Sequence, residues 1–257
     1  MPYLEAERRI FYRCWDCPGA AADVIFLHGA GEHSGLYHRL ATALNAAGYR
    51  VWALDHPGHG LTPGTSEDVY DVSVLAGNAR ALMEFVARSG AERPVLIGNS
   101  LGGVTAAWLM SQPQPPEIAG LILSATPLEP LRDIDKLAGA VMSREPTYLD
   151  LLASDPLLRQ NVPLDYHRLD AGMTRAAEQI KRRMPQWPFP VLMINGECDV
   201  LARPENARHL SATLRRGRTV MLRSSHHDVL NDIHHAAAER LIVQFLFETT
   251  DARLIFA

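Results

Sequence analysis

From residue 24 onward, short apolar runs alternate with stretches whose apolar residues recur every three or four positions. That alternation is the pattern of a mostly parallel sheet flanked by helices, an α/β class. Val24-Ile25-Phe26-Leu27 reads as a buried strand, and residues 49–54 as another, joined by a helix over 36–47. Further strands are expected at 95–97, 121–123, 191–194 and 219–222, with helices over 72–88, 101–111, 205–214 and 235–247. Residues 10–15 precede the alternation as an antiparallel strand.

One interval breaks the rhythm. About sixty residues separate the strand at 121–123 from the strand at 191–194, where αβ connections usually take about 2–6. Within it, Met173, Ala177, Ile180 and Met184 are spaced to share one helix face. Residues 128–187 are therefore expected to form a small helical cap, inserted before the strand that leads to Asp199, with 1–127 and 188–257 as the core.

Composition narrows the partners. The chain has 257 residues, 25 basic against 29 acidic, for a net charge of −4, which offers no broad positive field for nucleic acid or anionic lipid. No apolar run approaches a membrane span, and the first ten residues carry Glu5, Glu7, Arg8 and Arg9 in place of an apolar signal core, so a cytoplasmic chain is expected. Three cysteines do not suggest a disulfide framework, and Cys14-x-x-Cys17 lacks a second ligand pair for zinc. The histidines of His56-Pro57-Gly58-His59 and His234-His235 likewise have nothing to complete a metal site, and the first group reads as a tight structural loop. Lys181-Arg182-Arg183 reads as a solvated helix end. No cofactor or metal is expected, and the oligomeric state is left open.

Gly98-Asn99-Ser100-Leu101-Gly102 is a G-x-S-x-G motif between an apolar strand and a helical pattern, the setting of a nucleophile elbow. A serine hydroxyl needs a base to take its proton and a carboxylate to orient that base, in the chain order Ser, Asp/Glu, His. Asp199 follows the strand at 191–194 and His227 the strand at 219–222, so both rise on the same side of a parallel sheet as Ser100. Glu197, Asp228 and His226 compete for these roles. His28-Gly29-Ala30-Gly31 leaves the first buried strand, which makes the backbone N–H groups of Ala30 and Leu101 the expected oxyanion hole. Such a site should gain activity with rising pH around about 6–7, as its histidine loses a proton.

These segments resemble the monoglyceride lipase and lysophospholipase-like branch of the α/β-hydrolases, the serine aminopeptidase S33 type. The resemblance runs through nearly the whole chain. It is carried by His28-Gly29-Ala30-Gly31-Glu32-His33-Ser34-Gly35-Leu36-Tyr37, Leu54-Asp55-His56-Pro57-Gly58-His59-Gly60, Gly196-Glu197-Cys198-Asp199, His227-Asp228-Val229-Leu230-Asn231-Asp232, and Ser154-Asp155-Pro156-Leu157 in the cap. It implies an α/β-hydrolase fold and favours His227 over His226 as base. Two positions depart from the pattern: Asn99 stands where histidine is common, and Leu61-Thr62 where serine is usual.

The resemblance implies a carboxylic ester hydrolase working through an acyl-enzyme on monoacylglycerol-like or other small monoacyl esters. A thioesterase or acyltransferase would use the same residues, and a ligand-binding homologue would keep the pocket without the chemistry. Candidate substrate contacts are Gly29, Asn99, Met142, Tyr148 and Leu149.

Overall fold

The computed structural model describes residues 2–5 and 7–250; residues 1, 6 and 251–257 of the expected core lie outside the described residues. Eight strands form the sheet: β1 (Tyr3–Glu5), β2 (Arg9–Trp15), β3 (Ala22–Leu27), β4 (Tyr49–Leu54), β5 (Val95–Asn99), β6 (Gly120–Ser124), β7 (Val191–Gly196) and β8 (Gly217–Leu222). Their order is β1-β2-β4-β3-β5-β6-β7-β8, antiparallel from β1 through β2 to β4 and parallel from there to β8. This is the α/β-hydrolase architecture. The central strands β5 and β6 are buried at every position, as parallel strands covered on both faces must be.

Alternation along the strands divides the core into two layers. Ile25, Leu27, Leu96 and Leu121 point into one, beneath α3 (Val72–Arg88), α4 (Leu101–Met110) and α7 (Pro204–Thr213). Val24, Phe26, Ile97 and Ile122 point into the other, beneath α1 (His38–Ala46) and α8 (His235–Thr249). Two elements go beyond the sequence reading. The three-residue β1 is too short to show a period, and the five-residue α2 (Ser66–Tyr70) announces itself only through the capping box of Thr65 and Asp68.

Between β6 and β7 lie two α-helices, α5 (Pro146–Ser154) and α6 (Tyr166–Arg183), with short 3-10 turns. The expected apolar face is present on α6, and Met184 just after it continues that face: Met173, Ala177, Ile180 and Met184 are all buried. It does not stand over the sheet ends, however. It completes the layer containing α3 and α4, and Gly172 lets it touch the backbone of α2, since a Cβ there would collide with the Tyr70 carbonyl. The flanks of α5 reach loops at the carboxyl ends of the strands, where Met142 accepts from Asp228 N–H and Val162 N–H donates to the Gly58 carbonyl.

Candidate active site

Ser100 sits between β5 and α4 with φ 50° and ψ −118°, a conformation that costs a non-glycine residue free energy and aims its side chain clear of both elements. The turn closes because its neighbours are glycine. A Cβ on Gly98 would strike the Gly102 carbonyl, and one on Gly102 would strike the carbonyls of Leu27 and His28. The elbow is thus pressed directly against the start of the loop leaving β3.

His227 Nε2 lies 2.8 Å from Ser100 Oγ, and its Nδ1 lies 3.0 Å from both carboxylate oxygens of Asp199. A carboxylate can only accept, so Nδ1 carries the proton and Nε2 is free to take one from the serine. Asp199 is fixed in turn by the N–H groups of Leu201 and Ala202, each 2.9 Å from Oδ1. Two of the competing residues are held elsewhere. His226 is held by Asp232, which accepts from its N–H at 2.6 Å and lies 3.1 Å from its Nδ1, while Glu197 accepts from Ser224.

Three carboxyl groups surround the His227 ring. Burial pulls its pKa down, but Asp199, by charge and hydrogen bond, and the charges of Asp228 and Glu32 outweigh this and push it up to about 9. Asp228 is itself pushed up to about 8 by burial and by Glu32. Glu32 is also raised by burial, against the opposing hydrogen bonds from Tyr37 and Gly29. The expected histidine range of about 6–7 therefore sits too low for this ring.

The loop leaving β3 has its donors sorted. Gly29 N–H donates to Glu32 Oε2 at 2.5 Å, and Gly31 N–H to His59 Nε2 at 2.9 Å. His59 Nδ1 lies 2.9 Å from the Pro57 carbonyl, which assigns its proton to Nδ1, and burial lowers its pKa so that the ring stays neutral. His28 Nε2 accepts from His56 N–H at 2.8 Å. Among the described residues, the N–H groups of Ala30 and Leu101 make no hydrogen bond, and Leu101 opens α4, where no intrahelical acceptor exists. Leu101 directly follows Ser100, and Ala30 follows Gly29, where an added Cβ would press on the Ser100 side chain.

Other candidate contacts divide. Asn99 is 1% exposed and engaged behind the elbow: its Nδ2 donates to Tyr37 Oη at 2.8 Å and its Oδ1 accepts from Ser124 Oγ at 2.9 Å. Leu149 turns outward on α5 and is 44% exposed, whereas its neighbour Tyr148 is buried above the site. Met142 reaches the site through its backbone, accepting from Asp228 N–H at 2.8 Å. Gly29 offers no side chain because a Cβ there would press on Glu32 and Ser100. Sequence reasoning missed Glu32, whose carboxylate links Gly29 N–H to Tyr37 Oη; the only signal was an acidic residue directly after the glycine turn. Cys14 and Cys17 are free thiols, and desolvation with the charge of Asp16 pushes Cys14 up to about 11, out of the reactive range. Among the described residues no group of three or more His, Cys, Asp or Glu is placed to hold a metal ion, and no helix is long and apolar enough to cross a membrane.

Comparison with known proteins places this geometry. The family described as serine aminopeptidase, S33 matches residues 18–234. The monoglyceride lipase of Rattus norvegicus is 30% identical over 222 residues, covering 77% of this chain and 72% of that protein. Among solved structures, the monoacylglycerol lipase of Paleococcus ferrophilus superposes with a TM-score of 0.78 at 25% identity, over 93% of this chain and 99% of that one. A soluble variant of the Saccharomyces cerevisiae monoglyceride lipase shares the fold with a TM-score of 0.83 at 17% identity, over 97% of this chain and 95% of the other.

Proposed function

The chain belongs to the serine aminopeptidase S33 family of the α/β-hydrolases, and from that premise we propose that it is a serine ester hydrolase using Ser100, His227 and Asp199 on small monoacyl esters of the monoacylglycerol kind. One observation carries the chemistry: the hydroxyl of Ser100 lies 2.8 Å from a His227 nitrogen whose opposite nitrogen is held by Asp199.

Ser100 Oγ attacks the acyl carbon while its proton passes to His227 Nε2, and Asp199 holds the resulting imidazolium. The carbonyl oxygen, now negative, receives the N–H groups of Ala30 and Leu101. Collapse of the tetrahedral intermediate expels the alcohol, which takes the proton from His227 and leaves an acyl-serine. Water then gives a proton to His227 and attacks the acyl carbon, and a second collapse releases the acid and restores Ser100. The residues supply every proton transfer, and no cofactor takes part.

The substrate class rests on relatives named as monoglyceride or monoacylglycerol lipases. It is supported by the insertion: of residues 128–187, α5 with its flanks acts as the cap, with Tyr148 facing inward. Ser100→Ala should lower turnover by about 10⁶-fold and abolish covalent labelling by a fluorophosphonate. Assayed from acetyl to palmitoyl esters and on monoacylglycerols, the wild type should favour intermediate chains on a small alcohol. Labelling that survives in Ser100→Ala, or a wild type inert to every ester, would overturn this reading.

A further inference from the structure

Two glycines flank Ala30 in a turn closed only by a long bond from Glu32 N–H to the Gly29 carbonyl at 3.4 Å, with Gly31 at φ +76°, a left-handed conformation that glycine enters freely. The loop is aimed by pins. Glu32 holds the Gly29 N–H, His28 Nδ1 lies 2.8 Å from the Gly29 carbonyl, and His59 holds the Gly31 N–H. A further pin comes from the insertion. Asn161 Nδ2 donates to the Gly31 carbonyl at 2.7 Å and to the Glu32 carbonyl at 3.4 Å, while its Oδ1 accepts from Gly60 N–H at 2.9 Å. One side chain thus joins the loop after β3 to the loop after β4.

The flanking contacts show that this seating is built. Val162 N–H donates to the Gly58 carbonyl at 2.9 Å, and its side chain fills the space that a Cβ on Gly58 would need. Asp155 lies 3.1 Å from His33 Nε2, both largely buried. Before α5 the chain is tied to the other side of the site: Arg144 N–H donates to Asp232 Oδ1 at 2.7 Å, and Ser143 Oγ to the Asn231 carbonyl at 3.2 Å. Residues 142–162 therefore form a strap with one foot on the loop of His227 and the other on the loop of Ala30.

We propose that Asn161 is a positioning residue for the oxyanion hole, coupling the seating of the strap to the aim of the Ala30 N–H. The proposal rests on the ester-hydrolase reading above. Asn161 touches no reacting atom; it acts through Gly31. Oxyanion donors bind the transition state more strongly than the ester carbonyl, so disturbing their aim lowers kcat and leaves KM nearly alone.

The test compares Asn161→Asp and Asn161→Ala with wild type in the full chain, hydrolysing p-nitrophenyl butyrate, with rates expressed per active site titrated to completion by a fluorophosphonate. Asn161→Asp nearly preserves shape and keeps an acceptor for Gly60, but it turns the donor facing the Gly31 carbonyl into a second acceptor. Both variants should lose about 10–100-fold in kcat, less than deletion of a donor, with KM within about threefold and fluorophosphonate labelling slowed in parallel. Titrating active sites removes misfolded molecules from the comparison. A kcat per active site within about twofold of wild type in Asn161→Asp, or a change confined to KM, would overturn the assignment. A wild type that neither hydrolyses the ester nor labels would instead overturn the ester-hydrolase reading.

Discussion

The two helices between β6 and β7 are attached to the same protein by different forces. α6 buries Leu169, Met173, Ala176, Ala177 and Ile180 against the core and keeps its polar side in water, capped by Asp165, which accepts from His167 and Arg168 N–H groups. α5 packs little more than Tyr148 and Leu152 on the other core layer and exposes both Leu149 and Leu151; hydrogen bonds hold the segments at its two ends. Apolar contact is strong but tolerant of direction, so it suits a helix whose task is to complete a layer. Hydrogen bonds fix distance and angle, so they suit a strap that must keep two loops in register. The same insertion thus contains one part built for stability and one built for geometry.

That contrast can be broken most forcefully at Ile180, which is fully buried on α6. Ile180→Ala should cost about 2–5 kcal/mol in denaturant-induced unfolding, through lost burial and the cavity left behind, while kcat per folded molecule stays near wild type. A large fall in kcat at full folding would mean that α6 also shapes the site. A smaller effect of the opposite character is expected at Asp232, a buried carboxylate accepting N–H groups of Arg144, His226 and Ile233. Asp232→Asn should cost about 1–3 kcal/mol because an amide presents a donor to one of these N–H groups. It should also lower kcat at nearly constant KM, since one foot of the strap loosens beside His227. An Asp232→Asn enzyme that is destabilised yet fully active would erase the distinction between the halves.

The finest test uses pH. His227 must be neutral to accept the serine proton, and its pKa is raised from 6.5 to about 9, so activity should climb through an apparent pKa well above 6.5 when chemistry limits the rate. The effect on stability has the opposite sign. A raised pKa contributes stability that is fully present below 6.5 and is lost as pH rises through about 9, so the molecule becomes more active and less stable across the same window. Asp228→Asn removes a carboxylate that favours the charged ring, and the acid limb of a kcat/KM profile should move to lower pH. A limb that stays in place would show that Asp228 holds the strap through its backbone alone.

Much of this molecule was readable from its sequence. Ser100 lies in a local motif, and Asp199 and His227 follow apolar runs that had to be strands; each is placed by the few residues around it and by the one-sided geometry of a parallel sheet. The α6 periodicity is equally visible, but a period says which side is buried and not against what, and the structure packs that side with α3 and α4. For a related reason the sequence does not show where Asn99 and Leu149 turn, since neighbours in sequence point to different surroundings: Asn99 bonds Tyr37 and Ser124, and Leu149 faces outward. Glu32 and Asp232 stood inside recognisable segments without a role, and Asn161 carried no signal beyond its identity. What they do depends on hydrogen bonds such as that from Asn161 to Gly31, across 130 residues, and that from Arg144 to Asp232, across 88.

Those long separations also order events in time. Ties between segments so far apart along the chain close large loops, and closing them costs chain entropy that few contacts repay until the sheet and its helices are already in place. The strap should therefore lock late in refolding, with esterase activity returning after the circular dichroism of the sheet and helices, and recovery of both at one rate would show that it does not.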